Sequence, residues 1–375
     1  MNFENEPQPH APKRRDISLF EGIRTFAASV GTAALLMLSV CGLIGLPLPE
    51  NATAHAVSAS HITAKTETVR TVQLGGDVFG IKLFSDGVIV AALSEIYADG
   101  GLKCPAREAG IQPGDYILSV NGNNVETNAA LSAVLSENET NTLTLRRGTE
   151  TFTAQVTSVL CEGSYKAGMW VRESAAGIGT VTFYTEDGKA FGALGHGISD
   201  ETSGVLMPLR DGSVLSAVIA DARPGGHGTA GELVGSFDPG DRIGGIERNC
   251  LFGIFGTLDA PPAGDAVKTA SADAVKTGGA TILSTVAGED VRAYTVDISR
   301  VYHDGGCTRF LITVTDPDLL AATGGIVQGM SGSPILQDGR LIGAVTHVLL
   351  ADPAKGYGVS IDDMLAASAA QDKAA

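Results

Sequence analysis

Apolar and polar positions along the chain fall into three regimes. From Phe26 to Leu46 the run "FAASVGTAALLMLSVCGLIGL" carries no charge. Twenty-one residues at about 1.5 Å each reach across a hydrocarbon core of about 30 Å, so the run is expected to be a transmembrane or signal helix. Residues 57–70 are small and polar and read as linker. From Val72 onward, short apolar stretches alternate with polar positions at a period of two, and Gly-containing pairs punctuate them. That is the period of strands, and a mainly β protein is expected.

The expected organisation is a tail at 1–25, the apolar segment at 26–46, a linker at 47–71, a small domain at 72–160 and a larger β domain at 161–370. Lys13, Arg14, Arg15 and Arg24 precede the apolar run and Glu50 follows it, which puts the N-terminus in the cytoplasm and the remainder outside. "ATAHA" at 52–56 offers Ala-x-Ala sites to a signal peptidase, so removal of the helix stays open.

In the small domain, Asp86-Gly87 within "FGIKLFSDGVIVAAL" signals a hairpin. Pro105 opens a short helix, "PGDYILSVNG" is a strand between turns, Asn128–Leu135 is helical, and the last two strands flank Arg147-Gly148. In the larger domain, Asp187-Gly188, Asp211-Gly212 and "QDGR" mark turns between short strands, with 259–279 as a loop. A barrel or sandwich is expected.

The 48 glycines follow no Gly-X-Y period, which excludes collagen and fits many tight turns. A net charge of −16 leaves no basic footprint for nucleic acid. Four cysteines, Cys104, Cys161, Cys250 and Cys307, lie beyond the apolar run at wide spacings with no Cys-x-x-Cys. A zinc site is not expected, and disulfides and free thiols both stay open.

The candidate chemistry centres on "QGMSGSP". Acyl transfer by serine needs a hydroxyl on a sharp turn, a base, and amides aimed at an oxyanion. Gly329 and Gly332 leave the backbone beside Ser331 uncrowded, and the amides of Gly329 and Ser331 can converge. Ser333 precedes Pro334, which biases it to an extended conformation and makes it the weaker nucleophile. The alternative is a plain Gly-Ser turn. For the base, His196 in "GALGHGIS" ends a strand between two glycines, which leave room for a ligand. His227 sits in a loop, His303 in a turn, and His347 on the strand after the serine loop, where a core role is open. Asp316 and Asp318 in "TVTDPDLL" are the candidate acids, although Asp-Pro also begins turns.

Two resemblances sharpen this reading. "AREAGIQPGDYILSVNGNNV" with "LTLRRGTETFTAQV" resembles a PDZ domain over about Val72–Val159. The resemblance implies a groove that takes an extended peptide as an added strand. Its carboxylate loop would be "LGGDVFGI", with Leu74, Gly75, Gly76, Phe79, Gly80 and Ile81 as binding residues. "GALGHGISD" with "GGIVQGMSGSPILQDGRLIGAVTHVLLADPAKGYGVSID" resembles the peptidase domain of stage IV sporulation protein B. That family also places an apolar segment and a PDZ domain before the peptidase.

The second resemblance implies a chymotrypsin-like serine endopeptidase with no metal or other cofactor. Its nucleophile falls on Ser331, its base on His196, its acid on Asp316, with Gly329 at the oxyanion hole and Thr346 in support. It further implies export from the forespore, with the protein anchored or released between the two membranes. Self-cleavage would fall at 47–75, followed by cleavage of a membrane-bound inhibitor of an intramembrane metalloprotease that processes a pro-sigma factor. Two other classes stay in view. One is an inactive, membrane-tethered PDZ scaffold. The other is a general quality-control protease, whose PDZ domains usually follow the protease domain rather than precede it.

Overall fold

The computed structural model describes residues 69–370, apart from 99, 201–202 and 263. The expected tail, the apolar segment 26–46 and nearly all of the linker lie outside the described residues. Among the described residues, no helix is long and apolar enough to cross a membrane. The helices are α1 (Pro105–Glu108), α2 (Asn128–Glu137), α3 (Pro317–Thr323) and α4 (Ile361–Ala369), and strands make up most of the rest.

Residues 278–360 close into a six-stranded antiparallel barrel. Its strands run Gly278–Thr285, Val291–Asp304, Cys307–Val314, Lys355–Ser360, Arg340–Val348 and Pro334–Gln337, and the last pairs back to the first through Ile282 and Ile335. Alternation makes this core. In "CTRFLITV" the side chains of Phe310, Ile312 and Val314 point inward to meet Ile282, Val296, Ile298 and Val345. Full burial of each contributes about 1.5–3 kcal/mol. The predicted turn in "QDGR" is present, with Asp338 and Gly339 both at positive φ, as a two-residue hairpin requires.

A second ring precedes it in the chain. Val78–Leu93 pairs with Met169–Tyr184 on one side and Leu209–Arg223 on the other. Leu209–Arg223 then pairs with Glu232–Cys250, that strand with Gly253–Leu258, that one with Ala190–Ala193, and Ala190–Ala193 with Met169–Tyr184. The pairings return to their start, around Phe79, Ile81, Val181, Phe191, Val214 and Ile254. Helix α4, capped by the Ser360 hydroxyl on the Asp363 amide, sets Ile361 and Met364 among Phe183 and Phe255 of this ring and Val359 of the other.

Two expected hairpins are absent for one physical reason. Val78–Leu93 is a single strand with Gly87 inside it at φ +90°, and Asp211-Gly212 lies inside Leu209–Arg223. A methyl on Gly212 would sit 2.8 Å from Ile246 Cβ, and one on Gly87 2.7 Å from the Ile117 carbonyl oxygen. Here glycine permits close approach of backbones rather than reversal of the chain.

The small domain is an insertion, not a preceding bead. Val78–Phe84 belongs to the ring, whereas Val88 and Ile89 of the same strand pair with Ile117 and Tyr116 of Tyr116–Val120. That strand pairs with Thr140–Arg147, which pairs with Glu150–Thr157. The chain returns through Met169–Tyr184, whose Met169 lies opposite Leu93. The module's own core gathers Val90, Ile117, Leu131, Leu143, Leu145 and Val156. The Arg147 guanidinium clasps the buried Asp115 carboxylate at 2.6 and 2.7 Å.

This arrangement corrects the expected carboxylate loop. The Gly75 and Gly76 amides donate to the carbonyls of Thr182 and Val181, Leu74 pairs with Phe183, and Phe79, Gly80 and Ile81 are ring residues. Helix α2 instead packs beside Ser164–Lys166. The expected boundary at 160–161 likewise leaves out the strand at 78–93 that the ring requires.

Because Leu93 and Met169 are paired neighbours, replacing 94–168 by an Asn-Gly turn should leave a protein that melts cooperatively. A fragment of 161–370 lacks a ring strand and should not. Circular-dichroism melting of the two distinguishes them.

Candidate active site

The Ser331 turn is built by the second barrel but held by the first ring. Met330 is fully buried in the barrel core and anchors the turn from within. Outside, Thr180 donates its amide to the Ser331 carbonyl at 3.0 Å and its hydroxyl to the Gly329 carbonyl at 2.8 Å. The Thr182 hydroxyl donates to the Gly332 carbonyl at 2.8 Å. Gly332 makes this contact possible. Its φ is +97°, and a methyl there would lie 1.9 Å from the Thr180 carbonyl oxygen.

The turn leaves two donors open. The amides of Gln328, Met330, Gly332 and Ser333 donate to Gly231, Val327, Val345 and Met330 respectively. Those of Gly329 and Ser331 have no acceptor among the described residues. The Ser331 hydroxyl donates to the Thr346 carbonyl at 2.6 Å, which places Thr346 beside the serine through its backbone. Ser333 is fully buried and its hydroxyl has no partner among the described residues, in keeping with a role inside the core.

His196 follows the end of Ala190–Ala193, turned outward by Leu194 (φ +68°) and Gly195 (φ +67°). A positive φ in leucine costs energy, and burial of its side chain in the ring core holds it there. The flanking glycines have a different use from the expected one. A methyl on Gly195 would come within 3.0 Å of Thr346 Cγ2, and one on Gly197 within 2.2 Å of Leu206. They let the turn pack between the two barrels.

His196 Nδ1 lies 2.9 Å from the Gly197 carbonyl oxygen. If Nδ1 carries the proton and donates to this oxygen, Nε2 is left as the acceptor. The ring lies 4.5 Å from that of His347, at 34°. Burial draws the His196 pKa down, against the opposing pull of the Gly197 carbonyl. His347 is pulled down to about 4 by desolvation, then by His196 and by Arg309. Both imidazoles are therefore neutral at pH 7.

His196, Ser331, Gly329, Thr346 and His347 line one cleft of about 640 Å³ between the two barrels. No hydrogen bond joins Ser331 to His196. Arg172 and Asp200 lie at the module end of the cleft, paired at 2.5 Å with the Asp200 side chain fully buried. Asp200 also accepts from the Ser203 amide and hydroxyl, so the loop after His196 is tied to the Met169–Tyr184 strand.

Asp316 is not brought to the cleft. It is the N-cap of α3, with one oxygen accepting from the Asp318 and Leu319 amides and the other from the Thr295 amide. The Thr295 and α3 amides hold its pKa below the ordinary carboxylate value. Asp-Pro-Asp is a helix start, with acid at the cap and proline at the first turn, and that signal outweighs the turn expected there. His227 is exposed in its loop, and the His303 ring meets the Thr308 hydroxyl and does not line the cleft. The four cysteines beyond the apolar run are all free thiols. Sequence reasoning missed the pairing of His347 with His196 and the Arg172–Asp200 pair, because neither has a local signature.

The family model described as SpoIVB peptidase S55 matches residues 163–365. The chain belongs to that family. It is a serine peptidase, and a PDZ domain model matches 97–147, inside the inserted module. No curated protein matches the chain. Among solved structures, it is similar to the Rv3671c protease from M. tuberculosis in its active form. That match has 16% identity and a TM-score of 0.31, over 54% of this chain and 78% of that one. An inactive serine-to-alanine form of Rv3671c matches with 16% identity and a TM-score of 0.30, over 53% and 84%. The peptidase match begins at 163, so the strand at 78–93 that the ring shares lies outside it.

Gly332→Ala should cost at least about 2 kcal/mol in urea unfolding, since a methyl must displace the Thr180 strand. Gly339→Ala, at a similar φ but with nothing within 4 Å of an added methyl, should cost about 1 kcal/mol. Depressed histidine pKa values also set a pH window. The unfolded chain takes up protons first, so this stabilisation is full above about pH 6.5 and declines as pH falls towards 4. His347→Gln should flatten that slope between pH 6.5 and 4 in parallel urea titrations.

Proposed function

We propose that this peptidase is an exported, membrane-associated serine endopeptidase of sporulation signalling, with Ser331 as nucleophile and His196 as general base. One observation carries the reading of the site. Ser331 stands beside two unpartnered amides, its own and that of Gly329, in the same cleft as a neutral imidazole. Two antiparallel rings with these groups between them support a chymotrypsin-type arrangement.

In the resting arrangement the Ser331 hydroxyl is held by the Thr346 carbonyl. When a peptide carbonyl enters, the hydroxyl turns to His196 Nε2 and gives up its proton as Oγ attacks. The tetrahedral oxyanion takes the amides of Gly329 and Ser331, a contribution of about 2.7–4 kcal/mol per donor in such sites. His196 then protonates the leaving amine, and water resolves the acyl-enzyme by the same steps reversed. The Gly197 carbonyl holds Nδ1 through this sequence, and Asp316 serves α3.

Family membership supports the sporulation role, and the apolar run at 26–46 supports anchoring in the forespore membrane with the peptidase outside. On this reading the enzyme first cuts itself within 47–75, then a membrane-bound inhibitor of an intramembrane metalloprotease. The PDZ domain holds an extended peptide of the substrate or of a regulator.

Intact mass followed over time in wild type and Ser331→Ala should show N-terminal loss in wild type alone. Equal loss in both, or none in either, would remove Ser331 from the chemistry.

A further inference from the structure

The inserted module carries apolar side chains that neither its core nor the cleft uses. Among the described large apolar residues, five are 60% exposed or more, and four of these belong to the module. They are Tyr97 (70%), Leu102 (66%), Leu160 (60%) and Trp170 (68%). Trp170 is the single tryptophan of the chain.

Strand geometry gathers them at one end. Ile96–Ala98 and Gly101–Lys103 form a hairpin in which Tyr97 lies opposite Leu102, while Ala98 turns inward. Val159–Cys161 lies against Ile96–Ala98, with Leu160 outward between partly buried neighbours. Both ends of the hairpin are tied to Gly168, whose carbonyl accepts the Ser94 amide at 2.9 Å and the Cys104 thiol at 3.4 Å. Trp170 follows two residues later, opposite the exposed Ala92. In each of these segments the outward position is apolar, where a solvated sheet face ordinarily turns polar residues out.

The residue types fit a lipid interface. Tryptophan and tyrosine have an apolar body and a polar tip, and they settle at headgroup level beside leucine. The flanking acids Glu95 and Glu162 are paired with Arg107 at 3.1 Å and Lys166 at 3.0 Å, so neither meets headgroups uncompensated. Reach is sufficient too. Trp170 lies 13 residues along its strand from Phe183, which pairs with Leu74, and that is about 43 Å. Residues 47–68 have a contour of about 75 Å.

We propose that Tyr97, Leu102, Leu160 and Trp170 dock the module on the surface of the phospholipid bilayer that holds the apolar run 26–46. The assignment rests on the proposed anchoring by that run. Docking holds the peptidase against the membrane, at the height where a membrane-bound substrate emerges.

The test uses the full chain as Ser331→Ala, which keeps the anchor attached, in phosphatidylcholine vesicles with and without lipid brominated near the headgroup end of its acyl chains. At an interfacial depth of about 5–10 Å the bromines meet the indole, so Trp170 should lose most of its emission. Tyr97→Ser combined with Leu102→Ser and Leu160→Ser should restore that emission. If the triple variant does not fold, Leu160→Ser alone should restore part of it. An unquenched Trp170 in a chain that resists carbonate extraction would overturn the proposal and leave the anchoring standing. Equal quenching in wild type and a folded variant would overturn it as well. A blue-shifted emission without bromine quenching would mean that protein covers this face, a second copy or another partner, and would also overturn it. A chain that carbonate strips from the vesicles would instead overturn the anchoring, and this assignment with it.

Discussion

The hydrogen bonds from Thr180 and Thr182 to the carbonyls of Gly329, Ser331 and Gly332 are the constraint on which the site depends. Each contributes only about 1 kcal/mol net, so their weight is geometric rather than energetic. They hold three successive peptide groups of one barrel against a strand of the other ring, and this contact closes only where residue 332 has no side chain. Neither barrel alone can present Ser331. The strand that holds the serine turn also carries Arg172, which is paired with Asp200 four residues beyond His196. Ser331 and His196 are therefore both referred to Met169–Tyr184.

The electrostatics of the cleft follow from dryness more than from charge. His196 is drawn down chiefly by burial, and His347 by burial, then by the nearby His196 and by the Arg309 guanidinium. Imidazole rings 4.5 Å apart resist double protonation, so the pair stays neutral over a wide range. A neutral imidazole with its Nδ1 directed to the Gly197 carbonyl can accept a proton at Nε2 without an adjoining carboxylate. The serine hydroxyl, held by Thr346, is at rest rather than activated.

Legibility in the sequence followed how local each signal is. That Ser331, Gly329 and His196 meet in one cleft was readable because sharp glycine turns at strand ends are local features, and the alternating pattern of the second barrel is local too. Asp-Gly pairs misled at 86–87 and 211–212, since a glycine needed for close approach inside a closed ring reads the same as one that reverses the chain. The loop Leu74–Ile81 misled for a related reason. Its glycines lie against Val181 and Thr182, more than a hundred residues away, and nothing nearby marks that partner. Asp316 is the reverse case, because its local pattern is a helix start, and its nearness in sequence to the serine loop was weighed above that pattern.

The insertion differs physically from a tethered domain. A PDZ domain on a flexible linker moves independently of its enzyme, and its ligand acts mainly through local concentration. Here two continuous strands leave the ring side by side and become part of the module's sheet. Their pairing shifts register beside Glu173, where the buried Ser85 hydroxyl donates to the Gly87 carbonyl at 2.7 Å and the Glu173 carbonyl at 3.3 Å. The Glu173 carboxylate in turn receives the first amide of α2. Displacement of α2 thus acts on Glu173, and Glu173 lies on the strand that holds the Ser331 turn. A β-strand resists stretching and yields mainly at bulges. The register shifts at Trp170/Val171 and Arg172/Ser174 therefore concentrate what relative freedom the module has, on the same strand as the contacts that shape the site.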